Sequence, residues 1–319
     1  MKALALDDEG VAVVEIPEPE PAPGWAVVRV HVAGICNTDL ELVRGYMGFR
    51  GVLGHEFVGT VESGPAPWPG RRVVGEINFA CGTCPVCLGG LGRHCPARRV
   101  LGIVGADGAF AERVAVPVAN LHPVPDEVRD EAAVFAEPLA AAFEILEQVH
   151  VEPGAECLVF GDGKLGLLAA QVLDGAGARV TLVGRHPDRH AFLQRRGIAT
   201  MPADAEGLPP AALVVDATGS AGGFARALAA TRPRGTLVLK STIAEQPQID
   251  LAPIVIHEIR VVGSRCGPFA PALRALARGQ VATQPLIAAH YDLEDGIAAL
   301  AHAARPGALK VLLRCRPAA

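Results

Sequence analysis

Hydrophobic and polar positions alternate in short runs along the first 130 residues. Pro and Gly separate these runs, which is typical of short strands joined by turns. The pattern predicts strands at Ala3–Leu6, Val11–Ile16, Ala26–Val32, Phe57–Glu62, Arg72–Val74 and Phe110–Val116. This part of the chain is therefore expected to form a β-rich lobe with antiparallel or barrel-like pairing.

The pattern changes at about residue 156, where short apolar runs begin to alternate with helical segments. Strands are predicted at Cys157–Phe160, Arg179–Val183, Leu213–Ala217, Thr236–Lys240 and Arg260–Val262. Helices are predicted between them at Lys164–Leu173, Arg189–Arg196 and Gly222–Ala230. This alternation indicates βαβ units, and hence an α/β domain with a doubly wound parallel sheet.

Two segments lie outside these patterns. Asp130 stands where it would cap a helix that runs to about Gln148. After about Pro271 the chain predicts a helix, a strand at Leu286–Tyr291, a helix at Asp295–Ala304 and a strand at Lys310–Arg314. This tail either extends the parallel sheet or folds back onto the first lobe, and the pattern alone leaves both arrangements open.

Composition and charge narrow the classes of protein. The chain has 319 residues, a net charge of −5 and 50% hydrophobic residues. No apolar run approaches the roughly 18 residues needed to cross a bilayer, and Asp7, Asp8 and Glu9 come too early for a secretory signal. The sequence has no long basic run, which argues against nucleic acid as a partner. We expect a cytoplasmic protein of two lobes without a membrane partner.

A glycine-rich loop lies between the first predicted strand and the first predicted helix of the α/β part. Its residues, Gly161-Asp162-Gly163-Lys164-Leu165-Gly166, fit the pattern G-x-G-x-x-G. The glycines of such a loop allow a tight turn, close approach to a pyrophosphate and close packing of helix on strand. The motif is weak alone, but its position predicts a dinucleotide site that includes Gly161, Gly163, Lys164, Leu165 and Gly166.

The strand that follows indicates which dinucleotide binds. A carboxylate at its end would bind the ribose 2′-hydroxyl of NAD, yet the strand ends in Gly184-Arg185-His186, with no carboxylate before Asp188. Arg185 lies about 20 residues past the loop, where the discriminating side chain is expected. A guanidinium suits a 2′-phosphate. The sequence therefore favours NADP over NAD, with a solvated surface arginine as the alternative interpretation.

Half of the eight cysteines form a cluster in the sequence. Cys81, Cys84, Cys87 and Cys95 lie within 15 residues, with several glycines between them. Four thiolates close a tetrahedral shell around zinc and leave no position for a substrate. The spacing predicts a structural zinc site, and an intramolecular disulfide is the alternative.

A second candidate set of metal ligands is spread along the chain. Its members are Cys36, the pair His55-Glu56, and Glu137. A catalytic zinc needs about three protein ligands of Cys, His and carboxylate type and one open position. These residue types fit such a site, although their spacing alone does not bring the three segments together.

The motifs occur in an order that resembles the zinc-dependent medium-chain dehydrogenases/reductases of the alcohol dehydrogenase type, over nearly the full length. They are Gly34-Ile35-Cys36-x-Thr38-Asp39, Gly54-His55-Glu56, the four cysteines, Glu137-Pro138-Leu139, the glycine loop and Asp216-Ala217-Thr218-Gly219. The Glu-Pro-Leu form resembles the sorbitol and glucose dehydrogenase branch. The resemblance implies a GroES-like catalytic domain at residues 1–143, completed by 272–319, and a Rossmann NAD(P)-binding domain at 144–271.

Site roles are implied by position in the family. Cys36 and His55 would be ligands of the catalytic zinc, and Glu56 or Glu137 would complete the shell. The cofactor site would include Arg185, His186, Thr218 and Gly219 in addition to the glycine loop.

The resemblance also implies a reaction. Zinc would act as a Lewis acid on an alcohol, polyol or sugar hydroxyl, and a hydride would pass to NAD(P). Thr38 would bind the substrate hydroxyl and begin proton removal, with solvent or Glu41, which stands where many relatives have a relay histidine. A glutamate instead of a histidine at this position makes the chain more similar to the glucose dehydrogenase-like members of the family.

On the same grounds we expect two zinc ions per chain, and a homo-oligomer that is a tetramer or a dimer. One alternative is a zinc-independent NADPH quinone or enone reductase, which needs neither metal set. The other is a non-enzymatic zinc- and nucleotide-binding protein, which gains nothing from an open coordination position.

Overall fold

The computed structural model describes residues 1–241 and 248–315. The chain divides into two compact units. The first contains Met1–Glu137, Leu276–Arg278 and the chain from Ala282 onward, and the second contains Pro138–Ala275 and Gly279–Val281. No helix among the described residues is both long and apolar enough to span a membrane.

The regular elements are numbered in chain order. The strands are β1 (Lys2–Leu6), β2 (Val11–Glu15), β3 (Trp25–Gly34), β4 (Gly51–Val52), β5 (Glu56–Ser63), β6 (Arg72–Gly75), β7 (Asn78–Phe79), β8 (Arg99–Leu101), β9 (Gly105–Ala106), β10 (Arg113–Pro117), β11 (Leu121–Pro123), β12 (Glu156–Phe160), β13 (Arg179–Gly184), β14 (Ala199–Pro202), β15 (Ala211–Asp216), β16 (Thr231–Leu239), β17 (Arg260–Gly263), β18 (Ile287–Asp292) and β19 (Lys310–Arg314). The α-helices are α1 (Asn37–Val43), α2 (Pro85–Leu88), α3 (Asp130–Ala133), α4 (Ala136–Gln148), α5 (Lys164–Gly175), α6 (Pro187–Gln194), α7 (Ala221–Ala229), α8 (Ala252–Ile256), α9 (Phe269–Ala277) and α10 (Gly296–Ala303).

The largest sheet of the first unit is built around β3. Its strand order is β11-β6-β5-β3-β19-β18, and β10 also pairs with β3. β3 runs antiparallel to β5, β10 and β19. Because β3 is the central strand, nearly all of its residues are buried, and its run of Val and Ala side chains suits that position. The β-rich lobe indicated by the short apolar runs is confirmed.

Register in this sheet brings three distant parts of the chain to one place. Gly34, the last residue of β3, is opposite Glu56 of β5 and Leu312 of β19. The tail thus returns to the first unit through β19, which answers the question that the hydrophobic pattern left open. The end of β3, the start of β5 and the start of β19 form the floor of the candidate metal site.

The second unit contains a parallel sheet of six strands in the order β14-β13-β12-β15-β16-β17. Its core includes Leu158, Phe160, Val214, Phe224 and Leu237. The strand order reverses at β12, and ligands of such sheets bind beyond the carboxyl ends of the strands at this switch point. The glycine loop follows β12, as the doubly wound pattern predicts.

The helix predicted from Asp130 to Gln148 is two helices in the structure. α3 ends at Ala133 and α4 begins at Ala136. Asp130 is not the N-cap either, since Arg129 holds that position. The Asp130 carboxylate instead binds His31 at 2.8 Å and Arg72 at 3.3 Å, so tertiary ion pairs use the side chain that the local pattern assigned to capping.

Candidate active site and cofactor site

The end of β3 and the start of β5 assemble a candidate metal site in the first unit. One potential ligand atom from each of Cys36, His55 and Glu56 lies within 4.8 Å of the others. His55 and Glu56 are buried, and Cys36 is partly buried. A thiolate, an imidazole and a carboxylate at this separation form a donor set that suits zinc.

Asp39 orients two of these donors. It is fully buried at the first turn of α1, where its Oδ2 accepts a hydrogen bond from the Cys36 backbone N–H at 2.7 Å. Its Oδ1 lies 3.1 Å from His55 Nδ1. Because Nδ1 is engaged by the carboxylate, Nε2 is the ring nitrogen left for a metal, the arrangement in which a carboxylate orients a zinc-binding histidine.

The same carboxylate affects the protonation of His55. Burial alone lowers the pKa of His55, but the charge of Asp39 and its hydrogen bond outweigh burial and raise this pKa well above its usual value. Metal ligation requires the neutral imidazole. Metal binding at this site therefore competes with a proton held by the Asp39–His55 pair.

Glu56 is held from the opposite side by a buried lysine. Lys310, the first residue of β19, is 1% exposed and pairs with Glu56 Oε2. Burial lowers the pKa of Lys310, but the charges of Glu56 and Cys36 raise it overall. Gly34 makes room for the pair, since a Cβ there would lie 2.5 Å from Glu56 Oε2.

The other oxygen of Glu56 has a different environment. Oε1 is buried, and no hydrogen-bond partner for it is found among the described residues. An ionised carboxylate oxygen without a partner is costly inside a protein. A cation bound beside Cys36 and His55 would satisfy it, so the residues present fit a zinc ion.

The remaining predicted catalytic residues lie at or beyond the edge of this cluster. Thr38 Oγ1 is 3.8 Å from Cys36 Sγ. Glu41 is on α1, where its carboxylate accepts from Arg44 at 2.6 Å and its side chain is 39% exposed. Glu137 lies in the first turn of α4 and is not a member of the three-residue group found among the described residues.

The four clustered cysteines converge around a common centre. Their Sγ–Sγ separations are 3.4 Å for Cys84–Cys87, 3.6 Å for Cys81–Cys95, and 3.9 Å for Cys81–Cys87 and Cys84–Cys95. Ligands about 2.3 Å from a tetrahedral zinc ion are about 3.8 Å apart. A disulfide would need about 2.05 Å, and all four are free thiols. The geometry favours a metal shell over the disulfide alternative.

The thiols of this cluster differ in acidity. Hydrogen bonds from the backbone and the hydroxyl of Thr83 lower the pKa of Cys81 to about 6. Desolvation, followed by its contact with Cys84, raises the pKa of Cys87 to about 12. The neighbouring hydrogen-bond donors therefore do not stabilise all four sulfurs as thiolates. A metal cation at the centre of the cluster would displace the thiol protons and stabilise the four thiolates together.

The glycine loop has the geometry that its pattern predicts. Gly163 is the N-cap of α5, and Lys164 and Leu165 begin the helix. A Cβ at Gly166 would collide with the carbonyl oxygen of Gly161, so glycine is required where the helix packs on the strand. The helix N-terminus is thereby directed at the loop, which suits binding of an anionic phosphate.

Two further predicted cofactor residues follow β15. Thr218 Oγ1 donates to Asp216 Oδ1 at 2.7 Å, and its backbone N–H donates to the same oxygen at 2.9 Å. Gly219 follows with a φ of +66°. These bonds fix the turn at the carboxyl end of β15, next to β12 in the sheet.

Arg185 and His186 follow β13 at the same edge of the sheet. Arg185 is exposed and lines a cavity of about 570 Å³ together with Pro187, His190 and Arg226. His186 is partly buried and contacts Asp162 of the glycine loop. Besides His190, the charged residues of its lining are Arg185, Arg226 and one carboxylate, Asp204, and the two guanidinium groups make the cavity compatible with a phosphate-bearing ligand.

Sequence reasoning missed three side chains of these sites. Asp39 was read only as part of a motif, and Lys310 only as the start of a strand. A lysine that opens an otherwise apolar strand is a weak signal of a buried charge. Asp162 carried a clearer signal, because a carboxylate inside a phosphate-binding loop is electrostatically unfavourable unless it has another partner.

Comparison with known proteins agrees with this geometry. Residues 22–126 match the family model of the alcohol dehydrogenase GroES-like domain, and residues 165–278 match that of the zinc-binding dehydrogenase. The chain is 30% identical to sorbitol dehydrogenase of Halalkalibacterium halodurans, covering 98% of this chain and 99% of that protein. It is 33% identical to L-threonine 3-dehydrogenase of Streptomyces avermitilis, with 98% and 99% covered.

Similarity extends to solved structures. Alcohol dehydrogenase TADH from Thermus sp. ATN1 matches with a TM-score of 0.89 and 31% identity, covering 99% of this chain and 100% of that one. Dehydrogenases thus match both halves of the chain, in sequence and in fold. This chain belongs to the zinc-binding medium-chain dehydrogenases of the alcohol dehydrogenase type, and it is an oxidoreductase that uses zinc and a nicotinamide cofactor to interconvert a hydroxyl and a carbonyl group.

Proposed function

We propose that this enzyme oxidises a hydroxyl of a polyol or sugar, or reduces the corresponding carbonyl, with NADP favoured over NAD. The observation that carries the proposal is the convergence of Cys36, His55 and Glu56, with Asp39 orienting the first two. Similarity to sorbitol dehydrogenase supports the polyol class, and similarity to L-threonine 3-dehydrogenase makes a β-hydroxy amino acid the second candidate substrate.

The metal's role is Lewis-acid catalysis. Zinc, when bound, lowers the pKa of the substrate hydroxyl and polarises the carbonyl in the reverse direction. Cys36 and His55 are the proposed ligands, since both are directed into the cluster by Asp39. Glu56 is the favoured third ligand because its Oε1 is buried without a described partner, while Glu137 is the alternative.

Thr38 is the proposed first proton acceptor. Its hydroxyl lies 3.8 Å from the sulfur of Cys36, a proposed zinc ligand, and would accept the proton of a substrate hydroxyl held at this cluster. From Thr38 the proton passes to solvent or to Glu41. The exposed carboxylate of Glu41, which pairs with Arg44, suits exchange of a proton with solvent.

The cofactor proposal rests on the edge of the parallel sheet. Gly161, Gly163, Lys164, Leu165 and Gly166 are proposed to hold the pyrophosphate at the N-terminus of α5. Thr218 and Gly219 lie at the end of the neighbouring strand. Arg185 and His186 stand where a 2′-phosphate would lie, and the sequence has no carboxylate between Gly184, the last residue of β13, and Asp188.

The four-cysteine cluster is proposed to hold a second zinc ion, with a structural role. Its sulfur separations of 3.4–3.9 Å leave no open position. The presence of free rather than paired cysteines also supports a reducing compartment, and we propose the cytoplasm. Cell fractionation that recovered the protein from an oxidising compartment would contradict this placement.

A homo-oligomer is proposed from the open edge of the parallel sheet. β17 pairs with β16 only, among the strands described. Large apolar side chains are exposed in β17 and in the ten residues before it, namely Val261 in the strand and Leu251, Val255 and Ile256. An open edge with apolar neighbours is a surface that a second copy would cover. We favour a tetramer or a dimer.

The function is tested by hydride transfer at 340 nm. Polyols, aldoses, simple alcohols and β-hydroxy amino acids are each offered with NADP and with NAD, before and after chelation of zinc. We expect turnover of a polyol or sugar that chelation abolishes and zinc restores. Turnover of a β-hydroxy amino acid alone would select the second candidate, and chelator-insensitive turnover would contradict the zinc mechanism.

The roles of the ligands are separated by variants. Cys36→Ser should lose turnover while retaining cofactor binding measured by calorimetry, and Cys157→Ala, a buried cysteine of β12, is the matched control. Full activity of Cys36→Ser would contradict the proposed site. Zinc content of Glu56→Gln and Glu137→Gln decides between the two carboxylates, because loss of the true ligand lowers zinc affinity more.

A further inference from the structure

Asp162 occupies an unexpected place for a carboxylate, between the first two glycines of the phosphate-binding loop. Its side chain is 6% exposed and does not face solvent. It packs on Gly184 at the end of β13, where a Cβ would lie 2.5 Å from the Asp162 carboxylate. Glycine at position 184 therefore admits the carboxylate of the loop to the end of the neighbouring strand.

At that position Asp162 binds the residue next to Arg185. Its Oδ2 accepts the backbone N–H of His186 at 2.6 Å, and its Oδ1 lies 3.0 Å from His186 Nδ1. The ionised carboxylate accepts hydrogen bonds only, so Nδ1 carries a proton. The side chain of His186 is 34% exposed, which leaves Nε2 for a ligand.

Two further basic side chains face the same carboxylate. Arg189 Nη1 lies 3.7 Å from Oδ1 and donates to the Asp162 carbonyl oxygen at 2.6 Å. His190 Nε2 lies 3.7 Å from Oδ2, and that nitrogen is buried without a hydrogen-bond partner in the described chain. Burial raises the pKa of Asp162, but His186 and Arg189 outweigh burial and lower it overall.

We infer that Asp162 is a positioning residue for cofactor choice: it holds the His186 backbone and ring so that His186 and Arg185 together bind the 2′-phosphate of NADP. The inference rests on the NADP preference proposed above and names the residue that produces it. Asp162 acts through His186 and does not itself contact the phosphate.

The same contacts explain why Asp162 does not serve as the ribose carboxylate of an NAD enzyme. A carboxylate that binds ribose must be accessible to the 2′-hydroxyl. The Asp162 side chain is only 6% exposed, and its two oxygens already accept hydrogen bonds from His186, one from the backbone and one from the ring. The charge of Asp162 is thus paired with a basic side chain, and in the lining of the adjacent cavity the guanidinium groups of Arg185 and Arg226 outnumber the single carboxylate of Asp204.

Calorimetry with two fragments of the cofactor tests the inference on the zinc-loaded full chain. The probes are 2′,5′-ADP, which carries the 2′-phosphate, and 5′-AMP, which is the same molecule without it. Asp162→Asn keeps an acceptor for the His186 N–H but removes the charge. We expect the affinity for 2′,5′-ADP to fall about tenfold and that for 5′-AMP to change much less. Asp188→Asn, an exposed carboxylate of α6, is the matched control.

Each outcome is informative. If the wild type prefers 2′,5′-ADP and Asp162→Asn loses both fragments equally or neither, Asp162 is structural, and the NADP proposal still holds. If the wild type prefers 5′-AMP, the NADP proposal and this inference both fail, and a selective loss of 5′-AMP would make Asp162 a ribose ligand. Should Asp162→Asn not fold, His186→Gln must show the same selective loss for the inference to hold.

Discussion

Lys310 illustrates at the scale of one residue how the candidate metal site balances its charges. Glu56 and Lys310 are 0% and 1% exposed in their side chains, and both carry charges that burial disfavours. A buried pair of this kind contributes little net stability over an apolar pair, but removal of one partner leaves an uncompensated charge. In this site the orphaned group would be Glu56, the proposed zinc ligand.

Lys310→Met should therefore strongly destabilise the protein from which zinc has been removed with a chelator. We expect a loss of about 3–5 kcal/mol in the free energy of unfolding, because Glu56 would remain buried without a cation. Urea unfolding followed by circular dichroism measures the loss. Zinc should restore part of it, since a metal ion beside Glu56 replaces the missing charge.

Lys2→Met is the control for this variant. Lys2 pairs with Glu294 at 2.6 Å, but the two side chains are 44% and 49% exposed. Water screens such a pair, so its loss should leave the unfolding midpoint close to that of the wild type. Equal destabilisation by the two variants would show that burial of the Glu56–Lys310 pair is not what matters.

The sequence reveals some site residues better than others, for a physical reason. Cys36, His55 and Glu56 stand in short sequence motifs, and their side chains are themselves the metal-binding groups. Resemblance of these motifs to a family is therefore enough to locate them. Lys310 acts from more than 250 positions away, through the pairing of β19 with β3. No local pattern carries that contact, because strand register in a sheet is set by tertiary packing.

At the scale of elements, the loop between β12 and α5 contains glycines that serve two different purposes, namely packing of the helix and access for a ligand. Gly166 is required for packing, since a Cβ there would meet the backbone of Gly161. Gly163 has an ordinary φ of −76°, and no heavy atom of the described residues lies within 4 Å of a Cβ placed there. The described chain therefore gives no reason for glycine at position 163, and we expect a bound ligand to supply it.

Gly166→Ala and Gly163→Ala should accordingly differ. We expect Gly166→Ala to lower the free energy of unfolding by about 1–3 kcal/mol through overpacking. Gly163→Ala should unfold like the wild type but bind NADP more weakly, because its Cβ would enter the path of the pyrophosphate. Thermal unfolding and calorimetric titration distinguish them, and unchanged NADP affinity of Gly163→Ala would show that the cofactor backbone does not approach this residue.

The four-cysteine segment is the second element with a direct test. Cys95 is buried and its sulfur lies 3.6–3.9 Å from those of Cys81 and Cys84. Cys95→Ser should lower the zinc content by one ion per chain and lower the thermal midpoint, because a metal ion that binds only the folded loop stabilises it. Elemental analysis counts the zinc, with Cys157→Ala as the control; two retained ions would contradict the assignment.

Elements with regular periodicity were easier to predict than those defined by tertiary contacts. β12, α5 and β13 follow hydrophobic patterns and occur within two residues of their predicted bounds. The hydrophobic pattern does not indicate the break between α3 and α4. It also assigns Asp130 to helix capping, whereas the side chain binds His31 and Arg72. β14 was also missed, because its four residues are only partly buried or exposed and show no apolar run.

At the scale of the whole molecule, β17 and β14 are the two open edges of the parallel sheet among the described strands, and β17 is the one with exposed apolar residues close to it in the sequence. β17 has two exposed residues in its first two positions and no strand on its outer side among those described. Val255 and Ile256 of α8, the helix that precedes β17 in the chain, are 76% and 71% exposed. Exposed edges of this kind favour association, and natural proteins usually protect them with charges, proline or a partner.

Pairing of β17 with the same strand of a second copy would protect this edge. A twofold axis makes such pairing antiparallel and places the same surface on both sides. It would also cover Val255 and Ile256, whose exposure is otherwise unfavourable in a single chain. We therefore expect the wild-type protein to be at least a dimer in light scattering coupled to size exclusion at micromolar concentration.

Val255→Glu and Ile256→Glu should dissociate this assembly. Each would place a charge, and its copy across the axis, in an apolar contact, where like charges and lost hydration both oppose binding. Ile297→Glu is the matched control, because Ile297 is 56% exposed on α10 of the other unit and its change has the same chemistry. A smaller mass for the two variants and not for the control would support the β17 interface. An unchanged mass for all three, or a monomeric wild type, would move the interface elsewhere or remove it, and the exposed apolar residues of α8 would then need another partner.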